Sequence, residues 1–135
     1  MTVLSAPYAL VVDDDPLILM NTASILQNAG FQALEAMDGD EALDLLTKHR
    51  HNIVLLFTDV DMPGTMNGFA LARHVSATRP EIEIVMASGH VHPKDGEMPG
   101  KATFLFKPYS TYVVLSHLAR ILPDNKKPGV FVRTF

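Results

Sequence analysis

Ile53-Val54-Leu55-Leu56-Phe57-Thr58, followed at once by Asp59-Val60-Asp61-Met62-Pro63-Gly64, is the stretch on which the fold turns. The first six residues form the most strongly apolar run of the chain, and they are apolar without alternation. An edge strand with one wet face alternates; a strand covered on both faces does not. Ile53–Thr58 therefore reads as the central strand of a parallel sheet, ending where Asp59 brings in charge.

Moving outward, four more apolar runs of strand length occur at Tyr8–Val12, Phe31–Glu35, Ile82–Ala87 and Thr103–Phe106, separated mostly by helix-length segments. Asp15-Pro16 opens the first helix, since Asp15 can accept from free N–H groups and proline fits the first turn. That helix is expected to run to about Ala29, with Gly30 as its left-handed stop. Asp38-Gly39 turns the chain, and Asp40 is expected to cap a second helix that buries Ala42, Leu45 and Leu46. Phe69–Thr78 places Phe69, Leu71, Ala72 and Val75 on one helical face, closed by Pro80. Ser110 is expected to cap the last helix, which buries Val114, Leu118 and Ile121 and ends at Pro123. Strand–helix alternation of this kind implies an α/β fold, a doubly wound, five-stranded parallel sheet.

Two intervals depart from the rhythm. A helix is due in His90–Lys101, but Pro93, Gly96, Pro99 and Gly100 fall there. Proline costs about 3 kcal/mol and glycine about 1 kcal/mol in a helix interior, so a loop or one or two turns is expected. After Pro123, residues 124–129 read as a polar linker and 130–135 as a frayed tail, or an edge strand or intermolecular contact, given the alternation in Val130-Phe131-Val132. The expected division is a domain over residues 1–123 and a linker-like C-terminal tail over 124–135.

Composition narrows the functions. Apolar residues make up 47% of the 135, enough for a buried core, and the net charge of −4 without a basic stripe makes nucleic acid an unsuitable partner. With no cysteine, disulfides and thiolate metal sites are excluded. The apolar start has no positive leading region and no run approaches membrane-span length, so a cytoplasmic domain is expected.

In an open parallel sheet, ligands bind beyond the carboxyl ends of the strands. Asp13, Asp14 and Asp15 follow the first strand, Asp59 and Asp61 the third, Ser88 the fourth and Lys107 the fifth. Two carboxylates about 4 Å apart repel by roughly 4 kcal/mol at an effective dielectric of about 20. Several of them around Asp59 would raise a pKa sharply or recruit a cation, and an all-oxygen set favours Mg²⁺, Mn²⁺ or Ca²⁺ over zinc. A carboxylate nucleophile beside a divalent ion, a lysine and a hydroxyl is equipped to accept a phosphoryl group as an acyl phosphate.

Val11-Val12-Asp13-Asp14-Asp15, residues 55–64 (LLFTDVDMPG), 86–90 (MASGH) and 104–110 (FLFKPYS) resemble, in order, the signature segments of response-regulator receiver domains. The resemblance extends from Tyr8 to about Leu122 and implies a flavodoxin-like (βα)5 fold, here with a short or missing fourth helix. It makes Asp59 the phosphoacceptor, Asp14 a direct Mg²⁺ ligand, Asp13 an indirect one and Asp61 a ligand through its backbone carbonyl. Ser88 would be the hydroxyl switch, Lys107 the phosphoryl-pairing lysine and Phe104 the aromatic switch. The implied donor is a histidine kinase or histidine phosphotransfer domain, and water would later hydrolyse the acyl phosphate. The downstream partner would be a protein, with a homodimer as a further possibility, and neither nucleic acid nor membrane is expected to be bound directly. With Met1 as a natural start and no output domain, a stand-alone regulator is expected. The loop MPGTMNG at 62–68 is one residue longer than the usual form, and Phe104 lacks the hydroxyl of a tyrosine.

Two alternative readings fit part of the pattern. Asp59-Val60-Asp61 with Thr65 also resembles the nucleophile motif of haloacid-dehalogenase-type phosphatases, but there the motif lies on the first strand and the acidic pair comes late. The other is a receiver-like binding module that works without phosphorylation. His90 and His92, lacking a third ligand, read as solvated residues; His49 and His51 suit a helix C-terminus, and the methionines read as core filler.

Overall fold

The computed structural model describes residues 6–90, 93–94 and 96–134. Its strands are β1 (Tyr8–Val12), β2 (Gln32–Ala36), β3 (Ile53–Asp59), β4 (Glu83–Ser88) and β5 (Thr103–Phe106), all parallel in the order β2-β1-β3-β4-β5. The apolar run at 53–58 is the centre of the sheet, as its lack of alternation requires. Leu55 and Leu56 are both fully buried, one facing each side of the sheet. Sequence order reverses between β1 and β3, so their carboxyl ends open onto one crevice.

Helices α1 (Pro16–Asn28), α2 (Gly39–Lys48), α3 (Gly68–Thr78) and α4 (Thr111–Ile121) cover the two faces. On one side Ala42, Leu46, Phe69, Leu71, Ala72 and Val75 of α2 and α3 pack on Leu10, Leu56, Ile84 and Met86. On the other, Leu19, Ile25, Leu26, Val114 and Leu118 of α1 and α4 pack on Ala9, Val11, Leu55, Phe57 and Val85. Asp15 caps α1 through Leu17 and Ile18 N–H, Ser110 caps α4 through Val113 N–H, and Gly30 has φ +108°. Among the methionines, Met62 and Met86 are core, whereas Met20 and Met37 are exposed.

Several expectations need correction. The cap of α2 is Asp38, not Asp40: Asp38 Oδ1 accepts from Glu41 N–H, and Glu41 Oε1 accepts in turn from Met37 N–H. Asp40 lies in the first turn, where its charge suits the helix dipole. Leu45 and Ile121 are only half-buried. Strand β2 begins one residue late because Phe31 is pulled into the α1 face of the core. Strands β3 and β4 continue onto Asp59 and Ser88, paired through Asp59–Ala87 and Ser88–Phe106.

Between β4 and β5 the described residues contain no helix, only turns closed by Glu97 N–H on Lys94 O and Ala102 N–H on Pro99 O. Arg73 and Lys101 tie this loop down by bonding Glu97 O and Pro80 O. Residues 124–134 are neither frayed nor extended. A 3-10 turn at Asp124–Lys126 leads into helix α5 (Gly129–Thr134). Phe131 is 1% exposed, its ring 6.4 Å from Phe31, and Lys126 reaches Glu83 at 2.7 Å. A helix lets Phe131 plug the gap below α1, which burial of one large aromatic favours over a solvated strand.

A buried histidine joins α4 to the sheet. His117 Nε2 lies 2.7 Å from Thr103 Oγ1, and Arg120 Nη2 donates to His117 Nδ1 at 3.0 Å. Arg120 has no lone pair to offer, so Nδ1 accepts and the ring proton sits on Nε2. Burial first, and then the charge of Arg120, hold the imidazole below its ordinary value of 6.5. The unfolded chain therefore takes up a proton that the folded one refuses, and stability falls as pH drops through 6.5. His117→Gln should remove this slope between neutral and mildly acidic pH, measured by denaturant midpoints. An unchanged slope would place the titration elsewhere.

Candidate functional site

The carboxyl ends of β1, β3, β4 and β5 open onto a cleft of about 710 Å³, and the residues at or just after those ends supply its polar groups. Parallel register does this without help from long loops: Val12 pairs with Thr58, Asp59 with Ala87 and Ser88 with Phe106, so the strands end nearly level. Asp13 and Asp59 are 4% and 6% exposed, while Asp14 is on the surface. One carboxylate oxygen from each of Asp13, Asp14 and Asp59 lies within 4.8 Å of the others.

Lys107 is the counter-charge. Its ammonium donates to Asp13 Oδ2 at 2.8 Å and to Asp59 Oδ1 at 2.9 Å. Its backbone is pinned by Lys107 N–H on Ser88 O at 3.0 Å. Burial alone would lower the lysine pKa, but its hydrogen bonds to Asp13 and Asp59 outweigh that and hold it above 10.5. Burial pushes Asp59 up from 3.8; the hydrogen bond and charge of Lys107 pull it back, and Asp13 and Asp14 add to the rise. One ammonium does not neutralise three carboxylates, so the raised pKa comes first from burial of Asp59 and is then reinforced by the excess negative charge of Asp13 and Asp14.

Ser88 has no exposed surface; its hydroxyl donates to Asp61 Oδ2 at 3.4 Å and accepts from His90 N–H at 3.1 Å. Asp61 itself is exposed on the cleft wall. Phe104 is half-buried on the α2–α3 side of the sheet, edge-on to Phe106 at 5.0 Å. Asp13, Asp14, Asp59, Asp61 and Lys107 all line the cleft, and Ser88 reaches it through Asp61; Phe104 stands outside it. Asp15, a helix cap, also borders it, as does His90. His92 lies outside the described residues, and His49 caps the end of α2 with its ring 5.2 Å from Tyr8.

Two contributors were not singled out from the sequence. Gly68, first residue of α3, sits where a Cβ would lie 2.0 Å from Asp59 O, so only glycine lets the helix start against that strand end. Tyr109 borders the cleft and bonds Thr22. Gly68 carried a readable signal, a glycine directly after the cap residue Asn67.

A cleft with this order of strand-end groups, on this strand order, can be compared directly with known proteins. Residues 9–119 match the sequence profile described as the response regulator receiver domain. The chain belongs to that family. Over 127 residues, 90% of the chain, it is 31% identical to the uncharacterized transcriptional regulatory protein YesN of Bacillus subtilis, of which the match covers 34%. It is 38% identical over 82 residues, 60% of the chain, to the nitrogen assimilation regulatory protein NtrX of Azorhizobium caulinodans, covering 18% of that protein. The chain thus spans about a third or less of these relatives. Among solved structures, the chemotaxis protein CheY4 of Vibrio cholerae superposes with a TM-score of 0.76 at 30% identity, over 87% of this chain and 99% of that one.

The receiver domain is a regulatory signalling module of two-component systems, not a conventional enzyme. Receiver domains interact with histidine kinases or phosphotransfer proteins and typically bind Mg²⁺ at an acidic cluster, and this one carries such a group in Asp13, Asp14 and Asp59. Among the described residues no helix is long and apolar enough to cross a membrane.

Proposed function

We propose that this receiver domain is a phosphorylation switch whose phosphoacceptor is Asp59, loaded by a histidine kinase or phosphotransfer protein. The observation that carries the reading is Lys107 held between Asp13 and Asp59 beside a third carboxylate. The donor set fits a hard divalent cation: it is all oxygen, over-charged, and leaves Asp59 with a raised pKa. Asp14 and Asp59, with the Asp61 backbone carbonyl and Asp13 through water, would hold Mg²⁺. When bound, the ion supplies charge to offset phosphoryl oxygens.

The residues of the chain then divide the work. A carboxylate oxygen of Asp59 attacks phosphorus, the P–N bond to a donor histidine breaks, and an acyl phosphate forms. Lys107 exchanges its bond to Asp59 Oδ1 for one to a phosphoryl oxygen. The Ser88 hydroxyl leaves Asp61 to donate to another, and Phe104 follows inward, biasing a two-state face. Hydrolysis by water resets Asp59. The domain passes its phosphorylation state to a downstream protein, with residues 124–134 packed onto it as a C-terminal extension.

Beryllofluoride binding followed by fluorine NMR tests this. Binding is expected only with Mg²⁺ present and Asp59 intact; binding without Mg²⁺ overturns the reading. Turnover of phosphate esters would favour the dehalogenase-type alternative instead. Lys107→Ala leaves the three carboxylates and so keeps Mg²⁺ binding measurable. It should slow labelling by acetyl phosphate about ten- to 100-fold, since a charged hydrogen bond contributes roughly 1.5–3 kcal/mol. Wild-type labelling by that variant would show the lysine to be dispensable.

A further inference from the structure

Resting on the phosphoacceptor reading above, we propose that Tyr109 is a positioning residue for Lys107. The loop after β5 must hold the ammonium within hydrogen-bond reach of two carboxylates from two other strands. Its upstream side is fixed by Lys107 N–H on Ser88 O at 3.0 Å. Downstream lies Pro108, then Tyr109, whose hydroxyl meets Thr22 Oγ1 of α1 at 2.6 Å across 87 residues of sequence. Its ring stands edge-on to Phe57 of β3, at 5.5 Å and 67°. Phe57 lies two residues before Asp59 on the same strand.

Tyr109 therefore references the lysine-bearing loop to the strand that carries Asp59 and to the helix that follows Asp13 and Asp14. Thr22 is 1% exposed and Phe57 2%, so neither anchor can move without disturbing the core. Burial raises the phenol pKa above 10.0, despite the Thr22 bond and the Lys107 charge, so the hydroxyl stays neutral at working pH. Both partners belong to this chain's own packing. A phenylalanine would keep the ring contact and lose only the tie to α1.

The test compares Tyr109→Phe, Thr22→Val and Thr22→Ser, the last keeping a hydroxyl. In ¹⁵N-lysine NMR the Lys107 ammonium should give a slowly exchanging resonance in wild type and Thr22→Ser, broadened or shifted in Tyr109→Phe and Thr22→Val. With Mg²⁺ saturating, acetyl phosphate should label those two variants about three- to tenfold more slowly, the effect of one lost hydrogen bond. Mg²⁺ affinity should stay within about twofold, because the carboxylates are untouched. An unchanged ammonium resonance in both variants overturns the positioning role whether or not Asp59 is labelled. A changed resonance with wild-type labelling rates overturns its relevance to the reaction. Failure of wild type itself to be labelled overturns the phosphoacceptor reading instead, while the resonance still decides the positioning.

Discussion

Asp59→Asn should end labelling by acetyl phosphate while leaving the fold in place. The amide is nearly isosteric with the carboxylate, so strand β3 and the Thr58 Oγ1 bond to the residue-59 carbonyl at 2.9 Å are kept. The amide oxygen carries no charge and is a poor nucleophile, so no acyl phosphate forms. The same change reveals the strain in the cluster. Asp59 has a raised pKa in the fold, so its ionised form opposes folding above that pKa and the opposition fades as pH falls through it. Without divalent cation, Asp59→Asn should thus unfold at higher denaturant than wild type at neutral pH, with the gap closing in acid. Added Mg²⁺ should close it too, by stabilising wild type more. Intact-protein mass spectrometry and urea titrations measure both. Labelling at the normal rate would show that Asp59 is not the phosphoacceptor.

Gly68→Ala should be nearly as damaging, although residue 68 has no chemistry of its own. A Cβ there would lie 2.0 Å from Asp59 O, 2.7 Å from Val60 Cα and 2.9 Å from Asp59 C. All three are backbone atoms, so no rotamer change relieves the clash; either α3 backs away or the end of β3 bends. The Gly68 N–H bond to Val60 O at 2.9 Å resists the first course. Forced overpacking of this kind costs about 3 kcal/mol, a fall in Tm of roughly 10 °C for a domain this size. Displacing the Asp59 backbone should also slow labelling at least about tenfold, since small misplacements of reacting groups cost heavily. Calorimetry and labelling kinetics check the two effects. Wild-type stability would mean that α3 does not start against Asp59.

What the sequence revealed and what it hid follow from the range of the forces involved. Tyr8–Val12 and Thr103–Phe106 were legible to the residue because burial makes strand runs apolar and charge ends them. The strand-end groups were legible because a parallel sheet delivers such positions to one rim. The α2 cap was readable but misread: Asp38 and Glu41, three apart, carry the capping signal that Asp40 lacks. The fate of residues 129–134 was not readable. Their alternation suits a strand, and only the gap beneath α1, beside Phe31 and with Pro128 seated against Gly30, selects a helix. The Thr22–Tyr109 pair was equally hidden, because nothing local links residues 87 apart. Local propensity and pattern reach as far as the next turn; tertiary fit decides the rest.

The domain owes its proposed function to excess negative charge gathered at one rim and balanced only in part by Lys107. The most direct test is to locate the phosphoryl group after treatment with acetyl phosphate, with Mg²⁺ and again with the metal chelated, by peptide mass spectrometry under conditions that preserve acyl phosphates. Modification is expected on Asp59 alone, and only when Mg²⁺ is present. Modification on Asp13, Asp14 or Asp61 in its place, or equal modification of Asp59 with the metal removed, would contradict it.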